Sequence, residues 1–337
     1  DVRKFTIEAG IKYCKENKKG KLVNPDAYNS EDVFDWNEET DLDFWINNIF
    51  EYAEKNPVID MRSDGTHNQP KGTWSDDTSM TLCLVDNLIK GYDLNEIANN
   101  FVKWYRYGFM TPYGVAFDVG NTTRKAIYNI EAGVKVTEAG GASKYDNGNG
   151  SLMRILPLAF YLKYEKDSDK KFKTIHDVSS ITHRHNISKI ACSIYVEFAI
   201  NLINGYSKEE AYEKMKKVIL NYYKDDQYLE ALKTLERVLQ GNIGNEKLCN
   251  IKSSGYVVHT IEASLWCFFN NDNYKDTVLQ AVNLGSDTDT TAAVVGGLAG
   301  IYYGLNDICE AWINNIVKGE MIKKLICEFC NSIIFLL

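Results

Sequence analysis

The amino-acid sequence predicts an all-α protein, a single compact helical domain over 1–337, and three observations carry that expectation. Apolar residues recur at intervals of three and four along most of the chain, while the period-two alternation of strands is scarce. Only 5 prolines occur, and glycine closes several of the apolar runs. No low-complexity linker divides the chain.

The periodic segments follow one another in order. They are DLDFWINNIFEYAEK (41–55), TSMTLCLVDNLIKG (78–91), LNEIANNFVKWYRYG (94–108), ISKIACSIYVEFAINLING (187–205), SKEEAYEKMKKVILNYY (207–223) and YLEALKTLERVLQGN (228–242), and each is read as one helix. The stretch from roughly 60 to 75, DMRSDGTHNQPKGTWS, is rich in turn residues and reads as a loop. The run Ala292–Gly300 consists of small apolar residues and suits a tightly packed helix. The tail ICEFCNSIIFLL is shorter than the roughly 20 residues a membrane helix needs and reads as a closing core helix.

Composition limits what such a protein can do. With 45% hydrophobic and 25% charged residues the chain is ordinary for a soluble globular protein, and a formal charge of −8 argues against a nonspecific nucleic-acid binder. Cys14, Cys83, Cys192, Cys249, Cys267, Cys309, Cys327 and Cys330 form no disulfide framework, which favours a reducing, cytoplasmic compartment. Cys327 and Cys330 lack the further ligands of a zinc set and read as core thiols. The chain starts at Asp1 without a methionine and shows no signal peptide, so it reads as an excised or processed fragment.

The chemistry concentrates at two helix starts. NLGSDTDTT places Asp287, Asp289 and Thr290 before the small-residue run, and GTWSDDTSM places Ser75, Asp76 and Asp77 before another apolar segment. A doubled N-cap accounts for one acid and one hydroxyl at each start but not for the second acid, because like charges this close repel. Together the two clusters offer four carboxylates and two hydroxyls, an all-oxygen set suited to two Mg²⁺ or Mn²⁺ ions. Two other readings of the acids fit less well. DTDTT matches the D-x-D-x-T of aspartyl-phosphate phosphatases, but no apolar strand precedes it, and DDTSM has Met80 where the helical prenyl-diphosphate enzymes carry a third acid.

Between these clusters, YDNGNGSLMRILPL brings Gly148, Asn149, Gly150 and Ser151 into a turn whose free N–H groups would cradle a phosphate. FDVGNTTRKAI sets Asp118, Gly120, Asn121, Thr122 and Thr123 before a helix, and ITHRHN sets Thr182, His183 and His185 before another. Capping explains each of these stretches separately.

In their order along the chain, GTWSDDTSMTL, FDVGNTTRKAI, GNGSLMRILPL, ITHRHN, SGYVVHTIEASLW and AVNLGSDTDTTAAVVGGLAGIYYG resemble the motifs of the ADP-ribosylglycohydrolase family, over roughly 60 to 305. That resemblance implies a compact all-α fold holding two Mg²⁺ or Mn²⁺ ions, and hydrolysis of the bond joining ADP-ribose to an acceptor. It implies Ser75, Asp76, Asp77, Asp287, Asp289 and Thr290 as metal ligands. Asp76 and Asp77 thereby count as catalytic, with Asp118 as the proton-transfer group. It also implies contacts from Gly148, Asn149, Gly150, Ser151, Met153 and His183 to the ribose and diphosphate. The implied partner is an ADP-ribosylated protein, arginine-linked, or a small molecule containing ADP-ribose, with serine and nucleic-acid linkages left open and no membrane involved. A non-catalytic ADP-ribose-binding or structural relative on the same scaffold is the rival reading.

Some details depart from the family pattern. Its opening G-D-A-L-G helix and following glutamate are not found in DVRKFTIEAGIKYCKENKKG, so that segment is either lost before residue 1 or absent from this branch. Ser75 and Ser286 stand where threonine and glycine are more usual, and a hydroxyl survives at the first of them.

Overall fold

The computed structural model describes residues 21–23, 33–35 and 57–334. The helix expected over 41–55 and Cys14 lie outside these residues. The strands among the described residues are β1 (Lys21–Val23) and β2 (Val33–Asp35), an antiparallel pair with Leu22 opposite Phe34.

Everything larger is helical. α1 (Asp76–Leu88), α2 (Leu94–Tyr107), α3 (Asn121–Glu131) and α4 (Val136–Ala139) lead into a 3₁₀ turn at Asn149–Ser151. α5 (Pro157–Leu162), α6 (Ser168–Ser180), α7 (Asn186–Ile203) and α8 (Lys208–Tyr222) follow. Then come α9 (Leu229–Thr234), α10 (Glu236–Leu239), α11 (Val257–Phe269), α12 (Tyr274–Asn283) and α13 (Thr288–Tyr303). α14 (Glu310–Asn315) and α15 (Gly319–Ile334) close the chain.

The central element is α7, which packs against α5, α6, α8, α11 and α13. It is long and apolar enough to cross a membrane by composition alone, yet 83% of it is buried within the protein, as expected of a core helix. Its one buried acid, Glu197, is neutralised by Lys171 at 2.6 Å. α1 packs against α2, α5, α13 and α15, which brings the helix that starts at Asp76 into contact with the one that starts at Thr288.

Close packing explains the small residues of α13. A Cβ on Gly297 would lie 2.5 Å from Leu156 Cδ2 and 2.8 Å from Tyr195 Oη, whose hydroxyl donates to the Val294 carbonyl at 2.7 Å. We expect Gly297→Ala to destabilise the protein by about 1–2 kcal/mol, because overpacking and a disturbed Tyr195 bond outweigh the higher helix propensity of alanine. Thermal melting checks this; an unchanged or higher midpoint would show that the helix has room.

Two expectations are corrected. The helix expected over 228–242 is broken into α9 and α10 at Leu235 (φ −97°, ψ 13°), which buries Leu235, Val238 and Leu239 together. In α15 the buried face consists of Leu325, Phe329 and Ile333, spaced by one helical turn, so Cys327 and Cys330 are exposed and are not core thiols.

Candidate active site

Ser75 and Asp287 occupy the N-cap positions of α1 and α13, yet neither side chain makes a capping bond. Ser75 Oγ donates to Asp77 Oδ2 at 2.7 Å, and Asp287 Oδ2 accepts from Asn149 Nδ2 at 2.8 Å. The chain enters α13 through Gly285 and Ser286, both left-handed (φ 79° and 61°), a conformation costly for serine. The Asp287 N–H donates to the Ser253 carbonyl at 3.0 Å and Ser253 Oγ to the Gly285 carbonyl at 2.7 Å, which locks this entry in place. The acids therefore line a cleft, and capping bonds do not account for them.

The cleft has two compartments. The larger, about 690 Å³, is walled by Ser75, Asp77, Asp287 and Asp289 together with the loop residues His67 and Trp74. The smaller, about 250 Å³, is walled by Asp76, Asn149, Gly150, Met153, His183 and Thr290. Asp118 and Asp287 border both and mark where the compartments meet.

Burial and mutual repulsion govern the electrostatics. Burial pushes the Asp77 carboxyl up to about 8, helped by the Asp289 charge and opposed by the Ser75 hydroxyl. Burial, then the Asp77 charge, hold Asp76 well above the usual carboxylate range. Asp287 rises to about 6 through burial, with the Asn149 amide opposing and Asp289 adding to the rise. Asp118, left-handed at φ 56°, is raised by burial and by Asp289, while His67 Nε2 at 3.2 Å pulls the other way.

These residues fit oxygen-preferring divalent cations. Asp77 Oδ1 is buried with no hydrogen-bond partner among the described residues, an uncompensated acceptor of the kind a cation would satisfy, and the carboxylates and hydroxyls of Ser75, Asp287, Asp289 and Thr290 line the same cleft. Among the described residues no three His, Cys, Asp or Glu side chains already form a closed ligand group, so the acids border the cleft instead of meeting at one point.

A pH dependence follows. Asp77 keeps its proton to about 8 in the folded chain and releases it near 3.8 when unfolded. The folded state therefore binds more protons in that window, and raising pH favours unfolding. Buried His176 and His183, both lowered to about 3, act in the opposite sense but only below their ordinary 6.5. In EDTA the melting midpoint is expected to fall from pH 6.5 to 8, and Asp77→Asn should flatten the slope. A midpoint that rises over that range would contradict the buried-acid assignment.

Not every residue singled out in the sequence faces the cleft. Ser151 is fully buried, and its hydroxyl accepts from Ser179 Oγ at 3.0 Å and lies 3.5 Å from Cys192 Sγ, so it belongs to the core. The Asn149 N–H is already spent on the Gly255 carbonyl at 3.0 Å, so it is no free phosphate donor; its side chain instead ties Asp287 to Thr260. Sequence reasoning missed others. Gly120, Asn121, Thr122 and Thr123, read as caps, line the smaller compartment; their signal was a helix start whose Gly120 N-cap carries no side chain to cap it. His67 had no signal, because its partner Asp118 is distant in sequence.

Comparison with known proteins concerns the chain as a whole. A family model described as ADP-ribosylglycohydrolase matches residues 39–334. The chain is 34% identical over 284 residues to the ADP-ribosylarginine hydrolase Tri1 of Serratia proteamaculans, covering 81% of this chain and 71% of that protein. It is 31% identical over 250 residues to the ADP-ribosyl-[dinitrogen reductase] glycohydrolase of Rhodospirillum rubrum, covering 73% and 74%. A solved ADP-ribosylglycohydrolase-related protein complex superimposes with a TM-score of 0.66 at 27% identity, over 82% of this chain and 88% of the other.

Proposed function

Since the chain belongs to the ADP-ribosylglycohydrolase family and is a hydrolase of ADP-ribosylated substrates, we propose that it cleaves the bond between ADP-ribose and an arginine side chain of a modified protein, with two Mg²⁺ or Mn²⁺ ions as cofactors. The observation that carries this reading is the pair of helix starts whose acids face one cleft without capping their helices. Arginine is favoured as the acceptor by the name of the Serratia proteamaculans relative and by the acidic cleft, which suits a guanidinium group.

Ser75, Asp76, Asp77, Asp287, Asp289 and Thr290 would hold the ions. When bound, they supply Lewis acidity that orients the ribose diol and polarises water. The protein's own residues do the rest. Asp118, at the junction of the compartments and with a raised carboxyl, is placed to take the proton of a water as its oxygen bonds to the anomeric carbon. The bond to the guanidine nitrogen breaks with its electron pair, and Asp118 returns the proton there. His67 holds the Asp118 carboxylate in place from the loop side. Gly150, Met153 and His183 shape the smaller compartment for the ribose and diphosphate.

The test is incubation with ADP-ribosyl-arginine and ADP-ribosyl-serine peptides in Mg²⁺, with free ADP-ribose as the readout. Release from the arginine peptide is expected. Release from the serine peptide alone would overturn the linkage, and binding of both without release would make the chain a non-catalytic reader.

A further inference from the structure

Arg154 is completely buried, yet among the described residues no carboxylate pairs with it. Its guanidinium stacks over Phe101, 4.7 Å from the ring centre, and donates to the carbonyls of Gly150 and Val178 and to Thr182 Oγ1, the last at 2.7 Å. A buried cation with only neutral acceptors is costly, so what it orders is informative. Thr182 Oγ1 in turn lies 2.8 Å from His183 Nδ1. Guanidinium groups only donate, so the threonine oxygen must accept from Arg154. Its single proton then points to Nδ1; if Nδ1 carried a proton instead, the buried hydroxyl hydrogen would have no acceptor among the described residues.

We propose that Thr182, oriented by Arg154, is a positioning residue that fixes His183 as the Nε2–H tautomer, an uncharged donor for an anionic oxygen in the smaller compartment. Burial, then the Arg154 charge, keep the ring neutral and lower it to about 3, so the remaining proton resides on Nε2. The backbone fixes where that atom sits. Gly141 pairs with His183 as an isolated parallel bridge, Gly141 N–H donates to the Thr182 carbonyl at 2.9 Å, and Arg184 N–H donates to the Gly141 carbonyl at 2.8 Å. Nε2 lies against the loop at Gly148 and Gly150, where added Cβ atoms would stand 3.3 and 3.6 Å from it. Asp76, Asp118 and Asp287 border the same compartment, so a neutral donor there meets a phosphate oxygen without forming a tight ion pair with these acids. The anionic group is assigned as the diphosphate of ADP-ribose, which rests on the function proposed above.

Ring-nitrogen NMR of the ¹⁵N-labelled protein decides the tautomer, with His183→Asn identifying the signals among the five histidines. The parent should show a protonated Nε2 and an acceptor-type Nδ1. Thr182→Val should lose that single tautomer and bind ADP-ribose about tenfold more weakly, while Thr182→Ser, which keeps the hydroxyl, should restore both. A parent ring protonated at Nδ1 overturns the proposal, as does a folded Thr182→Val with unchanged tautomer or affinity. Because the parent spectrum needs no variant, loss of fold in Thr182→Val leaves the tautomer decided. If the parent shows the Nε2–H tautomer but does not bind ADP-ribose, the assigned ligand fails while the role of Thr182 stands.

Discussion

Asp289→Asn is expected to lower turnover by on the order of 10²-fold or more while the helical fold persists. Asparagine keeps the size and hydrogen bonding of aspartate and caps helices as well, so a mere first-turn residue would tolerate the change. Asp289, however, is exposed to the cleft in the first turn of α13, and its charge raises Asp77, Asp118 and Asp287 together. On the proposed two-cation reading, removing one negative charge takes a ligand from a cation held mainly by charge, and extra Mg²⁺ or Mn²⁺ should restore part of the rate. In EDTA the variant should melt higher than the parent, because repulsion among the acids is relieved. Parental turnover on ADP-ribosyl-arginine peptide, with parental melting in EDTA, would return Asp289 to a capping role.

Gly150→Val should abolish measurable ADP-ribose binding, a loss of about 100-fold or more, and cost about 1–3 kcal/mol of stability. The reason is space. Gly150 does not adopt the left-handed conformation reserved for glycine, but its Cβ would stand 2.9 Å from His183 Cε1 and 3.2 Å from Thr123 Oγ1. The valine methyl groups would then project into a compartment of only about 250 Å³ and push the His183 ring off its Thr182 contact. Calorimetry reads the affinity, and binding as tight as the parent's would show that the 148–151 turn is structural and the ligand sits elsewhere.

Much of this architecture is legible in the sequence because periodicity and helix starts are local signals. The segments at 94–108, 187–205 and 207–223 appear as α2, α7 and α8, the last with the capping box of Ser207 and Glu210. The acid clusters are legible because each exceeds what a cap requires. What escaped depends on contacts distant in sequence. Leu235 interrupts a helix without glycine or proline, because turning there buries its side chain and those of Val238 and Leu239. Ser151 sits in a turn that suggests a ligand, yet the side chains of Ser179 and Cys192 claim it for the core. His67 acquires meaning only when the fold sets it 3.2 Å from Asp118, and Arg154 only when its guanidinium is found buried behind Thr182 and His183.

That the starts of α1 and α13 work as one cation-dependent centre is tested most directly by stripping the parent protein with EDTA, then following ADP-ribose release from ADP-ribosyl-arginine peptide as Mg²⁺ is returned. No release from the stripped protein, with activity recovering as Mg²⁺ or Mn²⁺ is added, is the expected result. Full activity in excess EDTA would contradict it and leave the crowded acids without a cation to hold.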